Sequence, residues 1–522
     1  MQIPKCVLNV VSTRVAVVAL ACLIAAPVSA KSLEDANWIE VTTPNFRIHS
    51  LLNEDKTVEL VRHLEILRVA VPRLTKAKMA TAAIPTEIYA VRSRGDFRKF
   101  GIHRNAAGRF SPGLRSNTIL IRISSNIEES SIIMHEYVHD LLRANEGFYV
   151  PRWFSEGISE YYGASIIKGE NFEVGRRPKH RIPALERLVS ARGQLDWINS
   201  NILLDSSASQ DLSGRSRAVF YSQSWLLIHY LQHAEKKPVS ATDGFRRFAE
   251  LVNSGADEVQ SFAEAFQIEA SSLKSELKSY LKHQCCGYFP IRIKQLLPEF
   301  SPTIKELTRA EASLNLARLA LQQGEQEAAE HWFDIALAAD TTQARALSES
   351  ALLYLSREEF DESERRVLEA IALSPDDPYI QLNSAMHWIV RAGRIANREQ
   401  RAEFIDIARS SIHEAWKIDQ TIPEVYALNG MIYLMHGQDV SKAIEMIAEA
   451  ARLLPSNPDV RLLLANAYAN AGRDEDAIEQ AQTVINWSHE QNEKTRQAQA
   501  LIDRLEGRDA ESVDEAVSDR EK

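Results

Sequence analysis

Two histidines four residues apart are the first feature of this sequence that could do chemistry. Residues 131–142 read SIIMHEYVHDLL and contain the pattern His-Glu-x-x-His at His135, Glu136 and His139. On an α-helix, residues i and i+4 share one face, so the two imidazoles can bind one metal ion. Glu136 lies about 100° further around the helix axis. From there it can take a proton from a metal-activated water without being a ligand itself. Two buried core histidines are the alternative interpretation.

A third ligand is available further along the chain. A catalytic zinc site needs three protein ligands and one open position. Residues 151–162 read PRWFSEGISEYY, and sixteen residues separate His139 from Glu156. A loop and a helix start of that length can return Glu156 to the first helix, although an acid at a helix start is also favourable by itself. Glu160 follows one turn later and could compete as a ligand. We expect instead that it hydrogen-bonds a ligand histidine.

The combined pattern resembles the gluzincin zinc metallopeptidases, in which His-Glu-x-x-His is followed by Trp-x-x-Glu-Gly. The string around Trp153 is similar to that of the peptidase MA-like bacterial members, although Ser159 stands where alanine is common. The resemblance implies an α+β, thermolysin-like catalytic domain over residues 31–297. It also implies one Zn²⁺, held by His135, His139 and Glu156, with Glu136 as the catalytic base.

Three further residues or segments follow from the same resemblance. The segment that begins Tyr221-Ser-Gln-Ser-Trp225 is similar to one that opens a helix behind the active site. In the aminopeptidase relatives the tyrosine at this position donates a hydrogen bond to the oxyanion, so Tyr221 is a second candidate catalytic residue; a core aromatic residue is the alternative. Thr118–Ile123 would be the sheet edge that pairs with substrate. Asp140 is a weaker candidate support for a ligand, or is simply solvated.

The elements that must position these residues are of two kinds. Residues 38–125 predict a first strand from the segments 38–41 and 46–48 and further strands at 86–91 and 118–123. They also predict a helix at 58–74 and a turn-rich loop at 108–113. From residue 130 to about 296 the apolar pattern is mostly helical. Residues 298–307 contain two prolines and predict a linker.

Residues 308–505 repeat a pair of amphipathic helices. Gly324 and Glu358 are 34 residues apart, and Gly437 and Gly472 are 35 apart. This period resembles the tetratricopeptide repeat, and it predicts an all-α solenoid of about five units with a surface for a protein partner. One unit is too long by about a dozen residues, which predicts an insertion near residues 391–403. A generic helical bundle is the alternative.

The two ends of the chain differ from its body. Residues 1–30 combine Lys5 and Arg14, an apolar run and small residues at 28–30, a pattern typical of a signal peptide. The apolar run is short for a membrane span, so we expect an exported, periplasmic protein rather than an anchored one. Residues 506–522 predict an acidic, disordered tail. Export leaves only the adjacent Cys285 and Cys286, which we interpret as structural or incidental rather than as a redox site.

Composition and charge exclude several classes of protein. With 522 residues, 45% hydrophobic and 25% charged, the chain is neither disordered nor a disulfide scaffold. A net charge of −10 argues against nucleic-acid binding. Residues 31–300 hold 36 basic and 31 acidic residues, a net +5, whereas residues 301–522 hold 23 and 40, a net −17. The acidic half is expected to favour basic or neutral partners or to dock on the first half.

The sequence therefore predicts an exported zinc metallopeptidase that hydrolyses peptide bonds in a peptide or protein substrate. The repeats would recruit that substrate or another protein. The alternative hypothesis is a non-catalytic repeat scaffold that carries a peptidase-like domain. Stoichiometric zinc distinguishes the two, because the scaffold does not require it.

Overall fold

The structure of the protein is a computed structural model, and it describes nine stretches of the chain. These are residues 32–75, 83–102, 108–123, 130–143, 150–190, 197–339, 343–436, 439–487 and 492–507. The predicted signal peptide and all but the start of the predicted tail lie outside them. No helix in the described stretches is long and apolar enough to cross a membrane.

The described residues between 32 and about 297 form a mixed α/β region. Its strands, with one contributed from just beyond this region, are β1 (Ile39–Thr42), β2 (Phe46–Ser50), β3 (Thr86–Val91), β4 (Gly108–Ser111), β5 (Asn117–Arg122), β6 (Ile166–Lys168), β7 (Asn171–Val174), β8 (Phe289–Arg292) and β9 (Thr303–Glu306). Its helices are α1 (Glu54–Thr75), α2 (Arg94–Arg98), α3 (Ser130–Arg143), α4 (Arg152–Gly163), α5 (Ile182–Val189), α6 (Ser200–Leu204), α7 (Ser206–Gln210), α8 (Gly214–His233), α9 (Ala241–Asn253), α10 (Glu258–Phe266), α11 (Ala270–His283) and α12 (Ile293–Leu296).

The main sheet has the order β4-β5-β3-β2-β1-β9. Strands β2, β3 and β5 are mutually parallel, whereas β1, β4 and β9 are antiparallel to their neighbours. Alternate residues of β3 enter different cores: Ile88 packs with α1 and α3, and Tyr89 packs with the first repeat helices. Both faces of the sheet are covered at β3 and β5, and the sequences of these two strands are therefore nearly continuous apolar runs.

The sheet differs from the prediction at its edge. Strand β5, predicted as the edge that pairs with substrate, is an interior strand between β3 and β4. The outer strand on this side of the sheet is β4, which had been predicted as part of a turn-rich loop. Its residues Gly108–Ser111 pair with Thr118–Ile121. Four residues that include a glycine and a serine carry too little strand periodicity to be recognised before the partner strand is known.

A second sheet interrupts the region that was predicted to be mostly helical. Strands β6, β7 and β8 form a small antiparallel sheet. Strand β8 comes from more than one hundred residues downstream of β7, so its pairing is not visible in local sequence. Cys285 and Cys286 precede β8 and form a disulfide with each other.

The remaining helices form consecutive antiparallel pairs. They are α13 (Arg309–Gln322), α14 (Gln326–Ala339), α15 (Ala344–Ser356), α16 (Phe360–Leu373), α17 (Pro378–Arg394), α18 (Arg398–Ile418), α19 (Pro423–His436), α20 (Val440–Leu453), α21 (Pro458–Asn470), α22 (Asp474–Asn486) and α23 (Glu493–Leu505). In the part of the chain that the structure describes, five pairs are followed by a final single helix, where about five units were predicted. The odd-numbered helices from α13 to α21 also contact one another, and so line one side of the solenoid.

The turns between paired helices repeat their backbone conformation. Gly324 and Gly472 have φ of 81° and 68°, and Glu358 adopts φ 61° at the corresponding place. The left-handed conformation explains why glycine recurs at this spacing. Gly437 lies outside the described residues. The predicted insertion is absorbed by lengthening α17 and α18, and only residues 395–397 connect them.

The predicted linker is also part of the sheet. Strand β9 pairs with β1 along its whole length, from Ile39 opposite Glu306 to Thr42 opposite Thr303. The segment 298–307 therefore connects the two halves and holds them together. The repeats continue this contact, because Trp332 stacks on Phe100 at 5.2 Å between ring centroids. The acidic half thus contacts the first half through backbone pairing and an aromatic stack, and the expected contribution of the opposite net charges stays a prediction.

Candidate metal centre

Helix α3 presents the two histidines from a buried position. Met134, Tyr137 and Val138 lie in the core, which fixes the rotation of the helix. His139 is buried and His135 is partly exposed. Their rings meet edge to face at 4.6 Å between centroids. The predicted i, i+4 geometry of the pair is therefore present.

Helix α4 brings the carboxylate to the histidines. Trp153 anchors the start of α4 among Phe154, Phe248 and Phe262. At the other end, a side chain at Gly163 would place its Cβ only 3.2 Å from the Cα of His135. The glycine thus allows the backbones of α3 and α4 to approach closely.

Three ligand atoms converge at this crossing. The Nε2 atoms of His135 and His139 are 3.0 Å apart. Oε2 of Glu156 lies 3.4 Å from the first and 3.5 Å from the second. Metal–ligand bonds of about 2.0–2.1 Å in a tetrahedral site imply ligand–ligand separations of roughly 3.3 Å. The donor types and the size of this triangle fit a zinc ion.

The second nitrogen of each histidine has its own partner. Nδ1 of His139 lies 2.9 Å from the Ser155 hydroxyl and 3.1 Å from that of Ser159. Nδ1 of His135 lies 3.6 Å from Oε1 of Glu160. Glu160 is therefore not one of the three converging residues; it faces His135 at ion-pair distance, which is too long for the predicted hydrogen bond. Neither serine was predicted: Ser159 was taken as a harmless replacement of alanine.

Two residues of a short 3-10 helix, Lys179–Arg181, complete the surroundings of Glu160. Nη2 of Arg181 donates to its Oε1 at 2.6 Å, and Nε2 of His180 lies 3.2 Å from its Oε2. Burial would raise the pKa of Glu160, but the hydrogen bond to His180 and the charges of His135 and Arg181 lower it to about 2. Glu160 is therefore ionised. The sequence contains no signal for His180 and Arg181, because about twenty residues separate them from α4.

Burial and the nearby carboxylates have opposite effects on the pKa of each histidine. Burial would lower the pKa of His135, but the carboxylates of Glu156 and Glu160 outweigh it and raise the pKa to about 9. Burial lowers the pKa of His139 to about 4, and Glu156 opposes this only partly. The cluster thus has negatively charged carboxylates beside His135 and is shielded from solvent around His139. Such an environment is suited to a cation.

The two predicted catalytic residues flank the cluster. Glu136 is partly exposed on α3, and its charge contributes to the raised pKa of His135. The guanidinium of Arg181 lies over the Tyr221 ring at 4.7 Å from its centroid. Burial and the charge of Glu156 raise the pKa of Tyr221 to about 12. The phenol therefore keeps its proton and can donate a hydrogen bond.

Asp140 has a different role from the one predicted. It is buried rather than solvated, and no hydrogen bond described for it involves a ligand histidine. Nδ2 of Asn117 donates to Oδ2 at 3.3 Å, and the Ser456 hydroxyl donates to Oδ1 at 2.9 Å. Asp140 thus ties helix α3 to strand β5 and to the repeats.

Comparisons with known families agree with the division of the chain. Models described as tetratricopeptide repeats match residues 306–344 and 434–502. A model described as a protein of unknown function (DUF1570) matches residues 129–246, which include α3, α4 and Tyr221. No curated protein matches the chain. The C-terminal half is therefore a helical tetratricopeptide-repeat solenoid, a scaffold for protein interaction.

Several solved structures are similar to the repeat half. A thermophilic repeat protein from Thermus thermophilus, TTC0263, is 18% identical, covers 37% of this chain and 98% of its own, with a TM-score of 0.35. PilW, described as a type IV pilus biogenesis factor, is 17% identical. The match covers 38% of this chain and 87% of PilW, with a TM-score of 0.32. The pilF protein of Pseudomonas aeruginosa is 18% identical. The match covers 41% of this chain and 97% of the pilF chain, with a TM-score of 0.30. At such scores these similarities say nothing about function.

Proposed function

We propose that this chain is a zinc-dependent metallopeptidase whose repeats serve as its protein-interaction scaffold. The observation that carries the proposal is the triangle of His135, His139 and Glu156, with ligand atoms 3.0 to 3.5 Å apart. Two imidazoles and one carboxylate are a common ligand set for catalytic zinc. Bound there, zinc would act as a Lewis acid and lower the pKa of a bound water toward ~7.

The other residues of the site have separate tasks in this mechanism. Glu136 accepts the proton of the attacking water and delivers it to the leaving amine. Tyr221 donates a hydrogen bond to the oxygen on which negative charge develops. Glu160 orients His135, while Ser155 and Ser159 orient His139. The likeness of residues 135–162 to the gluzincin metallopeptidases supports hydrolysis of peptide bonds as the reaction. The pattern of residues 1–30 supports an exported protein.

A non-catalytic scaffold is the second candidate. The family matches favour it, because they identify the repeats directly and say nothing of peptidase activity. In that case the N-terminal region would only support the solenoid. The retained Glu136 beside the intact ligand triangle favours catalysis, since a scaffold has no need of a general base.

One experiment separates the candidates. Zinc content and cleavage of a peptide library should be measured for the chain without residues 1–30 and for its Glu136→Gln variant. We expect about one zinc per chain in both, and a loss of cleavage of 10²–10⁴-fold in the variant. Glutamine keeps the shape of the side chain but cannot accept the proton. Chains that hold no zinc and cleave nothing would favour the scaffold, and equal cleavage by both proteins would refute the role of Glu136.

A further inference from the structure

The side of the solenoid formed by the odd-numbered helices is occupied by a segment of the chain itself. The loop between β4 and β5, residues 112–116, reaches from the sheet to helices α17, α19 and α21. Nε and Nη2 of Arg115 donate to the two carboxylate oxygens of Glu424 at 2.5 and 2.9 Å. Nη2 also donates to Oδ1 of Asn383 at 2.6 Å. The guanidinium lies over the Tyr379 ring at 5.1 Å.

This arrangement recognises arginine rather than positive charge alone. A bidentate carboxylate, an amide oxygen and an aromatic face match the planar fork of a guanidinium, which lysine lacks. Burial would lower the pKa of Arg115, but Glu424 and Glu349 raise it. The Glu424 side chain is 4% exposed, whereas that of Arg115 is 27% exposed. The carboxylate is thus fixed inside the groove, while the arginine reaches it from the solvent side.

The neighbouring residues of the loop are bound as well. Nδ2 of Asn457 donates to the Gly113 carbonyl at 2.9 Å. A side chain at Gly113 would place its Cβ 2.5 Å from the Ser116 carbonyl oxygen, so the tight turn requires glycine. Leu114 packs against the apolar cluster formed by α19, α20 and α21. The groove therefore contacts backbone, apolar side chain and guanidinium in three successive residues.

We propose that the groove between α17, α19 and α21 is an arginine-selective docking surface whose resident ligand is Gly113-Leu114-Arg115. A partner protein that presents an arginine on an exposed turn binds there by displacing this segment. Its apparent affinity is its intrinsic affinity multiplied by the fraction of molecules in which the loop is undocked. The strongly acidic character of residues 301–522 favours such a partner over an acidic one. The proposal does not depend on zinc or catalysis.

The test uses the chain from residue 31 onward and a labelled cyclic peptide of sequence Ser-Pro-Gly-Leu-Arg-Ser-Asn. A second peptide with alanine in place of arginine is the control. Binding by fluorescence anisotropy is compared for wild type, Arg115→Ala and Arg115→Ala/Glu424→Gln. We expect the single variant to bind the arginine peptide at least tenfold more tightly than wild type, and the double variant to lose this gain. The alanine peptide should bind none of them.

Equal binding of the arginine peptide by wild type and a folded Arg115→Ala chain would overturn the proposal, as would equal binding of the two peptides. If Arg115→Ala unfolds, Arg115→Lys takes its place, because lysine keeps the charge and loses the bidentate contact. That variant should also bind the arginine peptide more tightly than wild type, and failure to do so overturns the proposal. Zinc content is not part of the readout, so failure here leaves the proposed activity untouched.

Discussion

The two histidines of the candidate metal centre have different partners at their second nitrogens. His139 meets two neutral hydroxyls, whereas His135 faces the ionised carboxylate of Glu160. A carboxylate behind a ligand imidazole raises the basicity of that imidazole and fixes its ring. The two histidines are therefore unequal, and in the proposed zinc site we expect the more exposed one, His135, to depend on Glu160.

Replacing Glu160 with glutamine tests this dependence. If zinc binds as proposed, Glu160→Gln should weaken its affinity about 10–100-fold, because the amide keeps the shape but loses the charge. The measurement is a competitive titration with a chelator. Glu170→Gln is the control, since Glu170 pairs with Arg292 and both side chains are largely exposed. Equal affinities in the two variants would contradict the supporting role of Glu160.

At the scale of elements, the crossing of α4 and α8 depends on one small residue. A side chain at Gly157 would place its Cβ 2.6 Å from the Ser224 carbonyl oxygen and 2.6 Å from Cγ1 of Ile228. A backbone atom cannot yield as the end of a side chain can. Helix α4 carries Glu156 immediately before this glycine, so the contact also fixes the position of Glu156 in the candidate site.

The substitution Gly157→Ala should therefore destabilise the protein by about 1–3 kcal/mol. We also expect weaker zinc binding if the proposed site is correct. Chemical denaturation measures the first effect. Gly393→Ala is the matched control, because Gly393 is also helical and its Cβ would only contact the Met435 methyl group at 3.8 Å. It should be neutral or slightly stabilising, and a similar loss in both variants would contradict the crowding argument.

His63 connects α1 to the small sheet. Its Nε2 lies 3.0 Å from the Ser165 hydroxyl, and its ring meets Phe172 edge to face. Burial lowers the pKa of His63 to about 4. The unfolded chain, with a histidine pKa near 6.5, binds more protons between these values, so this histidine lowers stability as the pH falls from 6.5 toward 4.

The substitution His63→Gln should reduce that pH dependence. Between pH 7 and pH 5, the wild type should lose about 2 kcal/mol more of its free energy of unfolding than the variant. Urea denaturation at the two pH values measures the difference. His283→Gln, at the exposed end of α11, is the control and should lose as much as wild type. An unchanged pH dependence in His63→Gln would mean that His63 is not buried in its neutral form.

At the scale of the whole molecule, the two halves share a core. Tyr89 and Leu120 from the sheet pack in one cluster with Leu316 and Trp332 from the repeats. The indole nitrogen of Trp332 donates to Oε2 of Glu34 at 3.2 Å. Strand β9 adds backbone hydrogen bonds across the same boundary. We therefore expect the sheet and the first repeats to unfold together.

The substitution Trp332→Ala should cost about 3–5 kcal/mol. Hydrogen exchange should show reduced protection in β3 as well as in α13 and α14. Trp416→Ala is the control, because Trp416 is 39% exposed and should change neither region. Reduced protection in the repeats alone would mean that the halves are energetically independent.

Much of this protein could be predicted from sequence where the signal is local. The i, i+4 spacing of His135 and His139, strand β3 and the 34-residue period of the repeats depend on neighbouring residues and recur in the structure. Glu156 was identified as well, because its motif and the length of its loop restrict where it can lie. Helical and strand periodicity are properties of a short segment, and so they survive without knowledge of the fold.

Only the tertiary structure revealed the contacts between distant segments. The partners of Glu160, the outer position of β4, the strand within the supposed linker and the binding of Arg115 by Glu424 all join residues that are far apart in sequence or lack local periodicity. Asp140 illustrates the difference: its sequence neighbours suggested the metal site, whereas packing directs its carboxylate to Asn117 and Ser456. Local propensity determined the elements, and burial of both sheet faces determined how they meet.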